Sequence, residues 1–139
     1  MIYLTRRYRF SASHRLHNPE LSPAENQAIY GKCNNPGGHG HNYALEVTVA
    51  GQPDPDTGMV VNLAELDACV QRRILDRFHL AYLNDDAEAF ARSVPTTENL
   101  CRTIYHLLEK DFSAVTMDRV RLEETGSNAF EFAENKEGE

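Results

Sequence analysis

From residue 39 to residue 49 every second side chain is aromatic or aliphatic: His39, His41, Tyr43, Leu45, Val47 and Val49. Alternation at period two puts all six on one face of a β-strand, so the chain must build a sheet whose inner face begins with two imidazoles. A second alternation, Tyr8, Phe10, Ala12 and His14, ends on a third histidine. Histidines two apart on a strand point the same way, so His39 and His41 can converge on one ion. His14 closes an otherwise apolar face, where an unpartnered imidazole is costly; it either hydrogen-bonds in the core or joins the same ion. Three histidines without clustered thiolates match a zinc site with one position left open. His17 is a substitute ligand lying off the strand pattern, and His106, mid-helix, is expected at the surface.

Residues 17–40 are rich in Asn, Pro and Gly and read as a long irregular excursion, which in a compact domain usually serves a function. Gln52-Pro53-Asp54-Pro55-Asp56-Thr57-Gly58 is a turn cluster, followed by a short apolar strand over residues 59–61. Asn62 reads as a helix N-cap with Glu65 completing a capping-box-like pair, and Leu63, Leu66, Cys69, Val70 and Ile74 form the helix's apolar stripe. Pro95-Thr96-Thr97-Glu98 opens a second helix with the stripe Leu100, Cys101, Ile104, Leu107 and Leu108, and Glu98 complements its dipole. Alternation returns with Val120, Leu122 and Glu124, then Phe130 and Phe132 on a last strand, before a charged tail over residues 134–139 that is expected to fray. The order implies one α+β domain over residues 1–139: an antiparallel sheet with both helices on one face.

Composition narrows the function classes. Fourteen basic residues against twenty-one acidic ones give a net charge of −7, which argues against non-specific nucleic-acid binding. No apolar run is long enough to cross a bilayer, and the start has no apolar stretch of the kind a secretory signal needs. The three cysteines, Cys33, Cys69 and Cys101, are scattered and odd in number, so reduced thiols in a cytoplasmic protein are expected rather than a disulfide framework.

Cys69 and Cys101 fall on helix stripes and read as small core residues. Cys33 does not: it sits in the polar run Gly31-Lys32-Cys33-Asn34-Asn35-Pro36-Gly37-Gly38. Near a divalent cation and Lys32 its thiol is expected to serve as base or nucleophile; the competing reading makes it a fourth zinc ligand that closes the site. Glu124 follows Val120 and Leu122 on an inward face, where a carboxylate needs donors such as the paired N–H groups of a ligand. The bland alternative is a strand-end glutamate turned to solvent.

Phe10-Ser11-Ala12-Ser13-His14-Arg15-Leu16, Tyr30-Gly31-Lys32-Cys33-Asn34-Asn35-Pro36, His39-Gly40-His41-Asn42-Tyr43, Thr57-Gly58-Met59-Val60-Val61-Asn62-Leu63, Thr96-Thr97-Glu98-Asn99 and Glu124-Thr125 together resemble the 6-pyruvoyl-tetrahydropterin synthase family over nearly the whole chain. The resemblance implies the tunnelling fold, a four-stranded antiparallel sheet with two helices on one side, in trimers or hexamers with sites at subunit interfaces. It implies zinc held by His14, His39 and His41, Cys33 as catalytic proton acceptor, and Glu124 anchoring a pterin ring with Thr96 and Thr97 nearby. The implied substrate is 7,8-dihydroneopterin triphosphate, converted to 6-pyruvoyl-tetrahydropterin with loss of triphosphate and no external redox cofactor. On an acidic chain the triphosphate must be met by local groups such as Arg15 or Lys32.

One pair departs from the family pattern. The family carries an adjacent Asp-His that works with the cysteine; an ungapped count puts His79 and Leu80 there. Leu80 cannot carry a proton. His79 can, if its imidazole reaches Cys33, or else it is a helix-end cation favoured by the dipole. Three other readings stand beside the lyase. One is the related 6-carboxytetrahydropterin synthase of 7-deazaguanine (queuosine) formation, which uses the same substrate and releases acetaldehyde. Another is a pterin-binding zinc homologue without turnover. A cupin-type metalloenzyme is the weakest, because His39, His41, Glu46 and Gly51 imitate only part of that motif and the downstream histidines fall on helices.

Overall fold

The structure, a computed structural model, describes residues 1–112 and 115–134; most of the charged tail, residues 135–139, lies outside the described residues. Two thirteen-residue strands, β1 (Ile2–His14) and β2 (His39–Gly51), pair antiparallel along their whole length, from Ile2 opposite Gly51 to His14 opposite His39. β2 also pairs with β4 (Thr116–Thr125), which pairs with β5 (Asn128–Phe132), both antiparallel. With a two-residue strand β3 (Ala81–Tyr82) on the outer side of β1, the sheet order is β3-β1-β2-β4-β5.

The inner face carries the alternations read from sequence. Phe10, Ala12, Tyr43, Leu45, Val47, Val49, Val120 and Leu122 are buried there, with Phe10 and Tyr43 stacked at 5.0 Å between ring centroids. Against them pack α2 (Leu63–Val70) through Leu66, Cys69 and Val70, and α5 (Thr97–Glu109) through Leu100, Cys101, Ile104 and Leu108. Each aliphatic side chain buried in full contributes about 1.5–3 kcal/mol, so this layer is what holds the sheet's inner face dry. The outer face is polar: Thr5 meets Thr48, and Glu46 bridges Arg7 and Arg121. No helix among the described residues is long and apolar enough to cross a membrane.

The expected Asn62 cap forms without the expected return bond from the Glu65 side chain, and the second helix start is capped by Thr96. The Asn62 side chain accepts from the backbone N–H of Ala64 and Glu65, and Thr96 accepts from that of Asn99. After α2 the helix widens into a π turn over Gln71–Leu75, which keeps Ile74 buried, and tightens again in α3 (Asp76–Phe78).

Four expectations are corrected. The sheet has five strands, because β3 (Ala81–Tyr82) pairs parallel to β1 at Ala12 and Ser13; two residues are too short to show a period. Residues 59–61 pair with nothing as a strand: Val60 and Val61 only lean on the core while the turn ties back through the Asp54 N–H to the Met59 carbonyl. The excursion over residues 17–40 contains a helix, α1 (Pro23–Tyr30), followed by a 3-10 turn over Gly31–Asn34. Asn26 is its one buried residue, so no apolar stripe announces it; the reciprocal bonds of Ser22 and Glu25, with Pro23 in the first turn, do. Leu63, assigned to the α2 stripe, is instead 38% exposed at the first helical position, and the buried stripe begins at Leu66. A short α4 (Ala87–Phe90), capped by Asp86, completes the chain between β3 and α5.

Candidate metal and pterin site

Register assembles the site. His14 and His39 are direct partners across β1 and β2, and His41 sits opposite Ala12, so all three imidazoles occupy one end of the inner face. Gly38 makes the entry to β2 fit: at φ +73° it lies where a Cβ would stand 3.1 Å from the His14 carbonyl oxygen. The three rings lie 4.6 to 5.2 Å apart by centroid, mutually edge-on. One donor nitrogen from each lies within 4.8 Å of the others.

The hydrogen bonding of these rings is incomplete. His14, buried, donates from Nδ1 to the Pro95 carbonyl at 2.7 Å, which leaves Nε2 as the acceptor nitrogen. His39 Nδ1 and His41 Nε2 are buried with no partner. Such orphans cost about 1–3 kcal/mol each, and a metal ion satisfies them. Burial holds the His14 imidazole below its ordinary pKa, opposed by the Pro95 bond and reinforced by the neighbouring histidines; burial and His41 do the same for His39. Neutral imidazoles are what ligation requires, so the donor set, its orphaned atoms and its charge state all fit a divalent ion such as zinc.

Glu124 points inward as its alternation demands. It accepts from the hydroxyl of Thr97, which is buried, and from Asn128 Nδ2 at 3.4 Å, and its Oε2 lies 4.0 Å from His41 Nε2. Thr96 and Thr97 therefore divide their work: Thr96 caps α5, and Thr97, one residue on, holds the carboxylate.

Cys33 lies in the 3-10 turn, half-buried, with its carbonyl accepting from the Leu16 N–H at 2.9 Å. The metal-competent group comprises the three histidines and does not include Cys33, so the reading of a closed four-ligand site has no geometric support. His17 also stands apart, its Nδ1 bonded to the Asn34 side chain. His106 makes a separate surface group with Glu109 and Glu134.

His79 and Leu80 follow α3 as a hook on β1. His79, exposed, accepts the Ser11 backbone N–H at Nδ1 (3.1 Å), and the Leu80 N–H donates to the Ser11 carbonyl (2.6 Å). As an acceptor, Nδ1 is unprotonated, so the ring's proton sits on Nε2. Leu80 adopts φ +62° and is 80% exposed, an uncommon conformation for a branched residue and one that marks functional turns more often than ordinary ones.

The family model for 6-pyruvoyl tetrahydropterin synthase matches residues 3–135. This chain belongs to that family. A 6-pyruvoyl tetrahydrobiopterin synthase of Poecilia reticulata is 48% identical over 126 residues, covering 91% of this chain and 86% of its own length. The structure of the Caenorhabditis elegans 6-pyruvoyl tetrahydropterin synthase superposes with a TM-score of 0.90 at 38% identity, covering 96% of each chain. A 6-carboxy-5,6,7,8-tetrahydropterin synthase of Bacillus subtilis matches only 48% of this chain and 45% of its own, at 38% identity over 71 residues. Sequence reasoning gave no positioning role to Asn34, Asn84 and Pro95, which hold the site's flanking segments through hydrogen bonds to Leu16, Arg15 and His14. Their signal is a set of long-range bonds to or from the backbone, which composition cannot reveal.

Proposed function

We propose that this chain is a 6-pyruvoyl-tetrahydropterin synthase, a lyase that takes 7,8-dihydroneopterin triphosphate to 6-pyruvoyl-tetrahydropterin and releases triphosphate. The observation that carries this reading is the pairing of three converging imidazoles, two with orphaned nitrogens, with an inward carboxylate held by Thr97 on the same face. His14, His39 and His41 would hold zinc, which when bound supplies Lewis-acid polarisation of the substrate's side-chain hydroxyls.

The rest belongs to the chain's own groups. Glu124 accepts the paired N–H hydrogens of the pterin ring, and Thr97 fixes the carboxylate for that contact. Cys33 takes the proton from the activated side-chain carbon as the triphosphate leaves with its bonding electrons. His79, with its proton on Nε2, is the residue assigned to relay that proton. A homo-oligomer, trimeric or hexameric, with sites at subunit interfaces and a cytoplasmic location belong to the same proposal.

A second reading has its own observation: Leu80 offers no titratable group, which favours a homologue that binds pterin and zinc without turnover. The 6-carboxy activity rests on the shorter matches from Archaeoglobus fulgidus and Bacillus subtilis. Incubating the zinc-loaded protein with 7,8-dihydroneopterin triphosphate and identifying products by mass spectrometry separates the three. A pyruvoyl product abolished by Cys33→Ala supports the lyase. A carboxy product with acetaldehyde selects the second activity, and unchanged substrate on a pterin-binding protein selects the inactive homologue.

A further inference from the structure

Beside the histidine site lies a cavity of about 450 Å³. Its walls are the direct continuations of the two segments that build that site. Arg15, His17 and Asn18 run on from His14, while Arg92, Ser93, Val94 and Pro95 lead into Thr96 and Thr97. The Pro95 carbonyl on one wall and His14 at the head of the other share a hydrogen bond, so the cavity and the imidazoles are two sides of one junction.

The cavity concentrates uncommitted positive charge. Seven of the eleven arginines, Arg6, Arg7, Arg72, Arg73, Arg77, Arg119 and Arg121, each pair with a carboxylate, and Arg102 lies over the Phe132 ring; of the other three, Arg9 stands apart and Arg15 and Arg92 share this cavity. Arg15 and Arg92 pair with none among the described residues, although acidic side chains outnumber basic ones and Glu20 lies on the same lining. Two guanidinium groups on one concave lining raise the local positive potential and favour an anion there.

Arg15 is also held in place. Asn84 clamps its backbone from both sides, accepting the Arg15 N–H and donating to the Arg15 carbonyl, each at 2.8 Å. Asn34, buried and next to Cys33, accepts the Arg15 Nε–H at its carbonyl (3.0 Å) and donates its side-chain amide to the Leu16 carbonyl and His17 Nδ1. The Arg15 guanidinium thus spends Nε on the scaffold, and its two terminal amino groups have no protein partner among the described residues. With Nδ1 occupied as an acceptor, His17 keeps a donor at Nε2. A pre-ordered arginine, a second arginine opposite and an imidazole donor match the planar, multidentate recognition of phosphoryl oxygens.

We infer that this cavity is a polyphosphate subsite, in which Arg15, His17 and Arg92 receive the triphosphate of the substrate. The assignment rests on the proposed function for the identity of the ligand and deepens it by giving the leaving group a place. Asn34 then serves both ends of the reaction, because it fixes the arginine that grips the leaving group and adjoins the cysteine that takes the proton.

The test uses the zinc-loaded protein, with magnesium tripolyphosphate as probe in calorimetric titration and 7,8-dihydroneopterin, which carries no phosphate, as the ring probe. Tripolyphosphate should bind the unaltered chain in competition with the triphosphate substrate. Arg92→Gln should weaken that binding about tenfold and Arg15→Gln at least as much, on the scale of charge-assisted hydrogen bonds. Arg92 is exposed, so its replacement leaves the fold intact even if Arg15→Gln loosens the 15–17 segment. Dihydroneopterin affinity should not move in Arg92→Gln. Equal tripolyphosphate binding in all three proteins overturns the subsite, as does arginine-dependent binding that fails to compete with the substrate. If tripolyphosphate binding depends on both arginines while dihydroneopterin does not bind, the subsite stands as a polyphosphate site and the pterin lyase reading falls.

Discussion

Two polar clusters border the same core and are built on opposite terms. Beside α2, the Asp111 carboxylate takes two bonds from Arg73 at 2.8 Å, one from Arg72 at 3.3 Å and one from the Cys69 thiol at 3.4 Å. Every polar atom that cluster withdraws from water is matched inside it. At the far end of the sheet, His39 and His41 each keep a buried nitrogen with no partner. A closed cluster adds to stability and has nothing left to offer a ligand. An open one costs stability and is complete only when something binds. The difference separates a brace from a site more sharply than residue type does, since both clusters consist of side chains usually called catalytic.

The largest effect that tests this contrast comes from His39→Ala. Bound zinc should fall from about one ion per chain to a small fraction, read by metal analysis, and turnover should fall about a thousandfold or more with the loss of Lewis-acid assistance. The metal-free variant should unfold within about 1 kcal/mol of the metal-free parent, because the removed ring brought an unsatisfied nitrogen into the core. A variant that keeps its metal, or a metal-free variant several kcal/mol less stable, would show the histidines to be a brace after all.

Asp111→Asn should do the reverse: leave zinc content and turnover unchanged at moderate temperature and lower the melting temperature. The partners are well exposed, Arg73 at 42% and Arg72 at 64% of the side chain, so the loss is about 1 kcal/mol. The pH dependence has a definite sign. The Arg73 bonds hold the Asp111 carboxyl down at about 2, below its ordinary 3.8, against the opposing effect of burial. The unfolded chain therefore takes up that proton first as pH falls. The contribution is whole above about pH 4 and drains away between there and about pH 2, and the variant should lack that segment of the acid-unfolding curve.

Much of this was legible in the sequence, for reasons that differ by region. Period two placed His14, His39, His41 and Glu124 on inner faces because a buried sheet face forces alternation over many residues. The α2 cap and the start of α5 were legible because Asn62, and the Pro95-Thr96-Thr97-Glu98 run, supply what a helix start needs for its free backbone N–H groups. β3 was not, since two residues pairing with an edge carry no period. Nor was α1, whose capping box is written in Ser22 and Glu25 but whose apolar residues, such as the exposed Ile29, form no stripe facing the core. The positive φ of Leu80 is invisible in a residue that usually avoids it. The open state of the site was hidden for a deeper reason. A motif names the ligands; only the packing around them tells which nitrogens are left without a partner.

The smallest effect expected is at Cys69, where the contrast predicts almost no reaction. Burial and then the Asp111 bond push its thiol up to about 11, and burial pushes that of Cys101 up to about 12. At pH 8 the thiolate fractions are then about one in a thousand and one in ten thousand, and both sulfurs are covered. Cys33 is half-exposed on its 3-10 turn. An alkylating reagent should consume one thiol per chain, located at Cys33 by peptide mapping, while Cys69 and Cys101 react only on the timescale of unfolding. Asp111→Asn sharpens the point. If the Asp111 cluster is closed by its own bonds, the substitution should speed labelling of Cys69 and leave Cys101, whose thiol donates to the Val120 carbonyl inside the core, as slow as before. Fast labelling of Cys69 in the unaltered chain would mean that the cluster opens in solution, and the distinction between brace and site would then have to rest on the orphaned imidazole nitrogens alone.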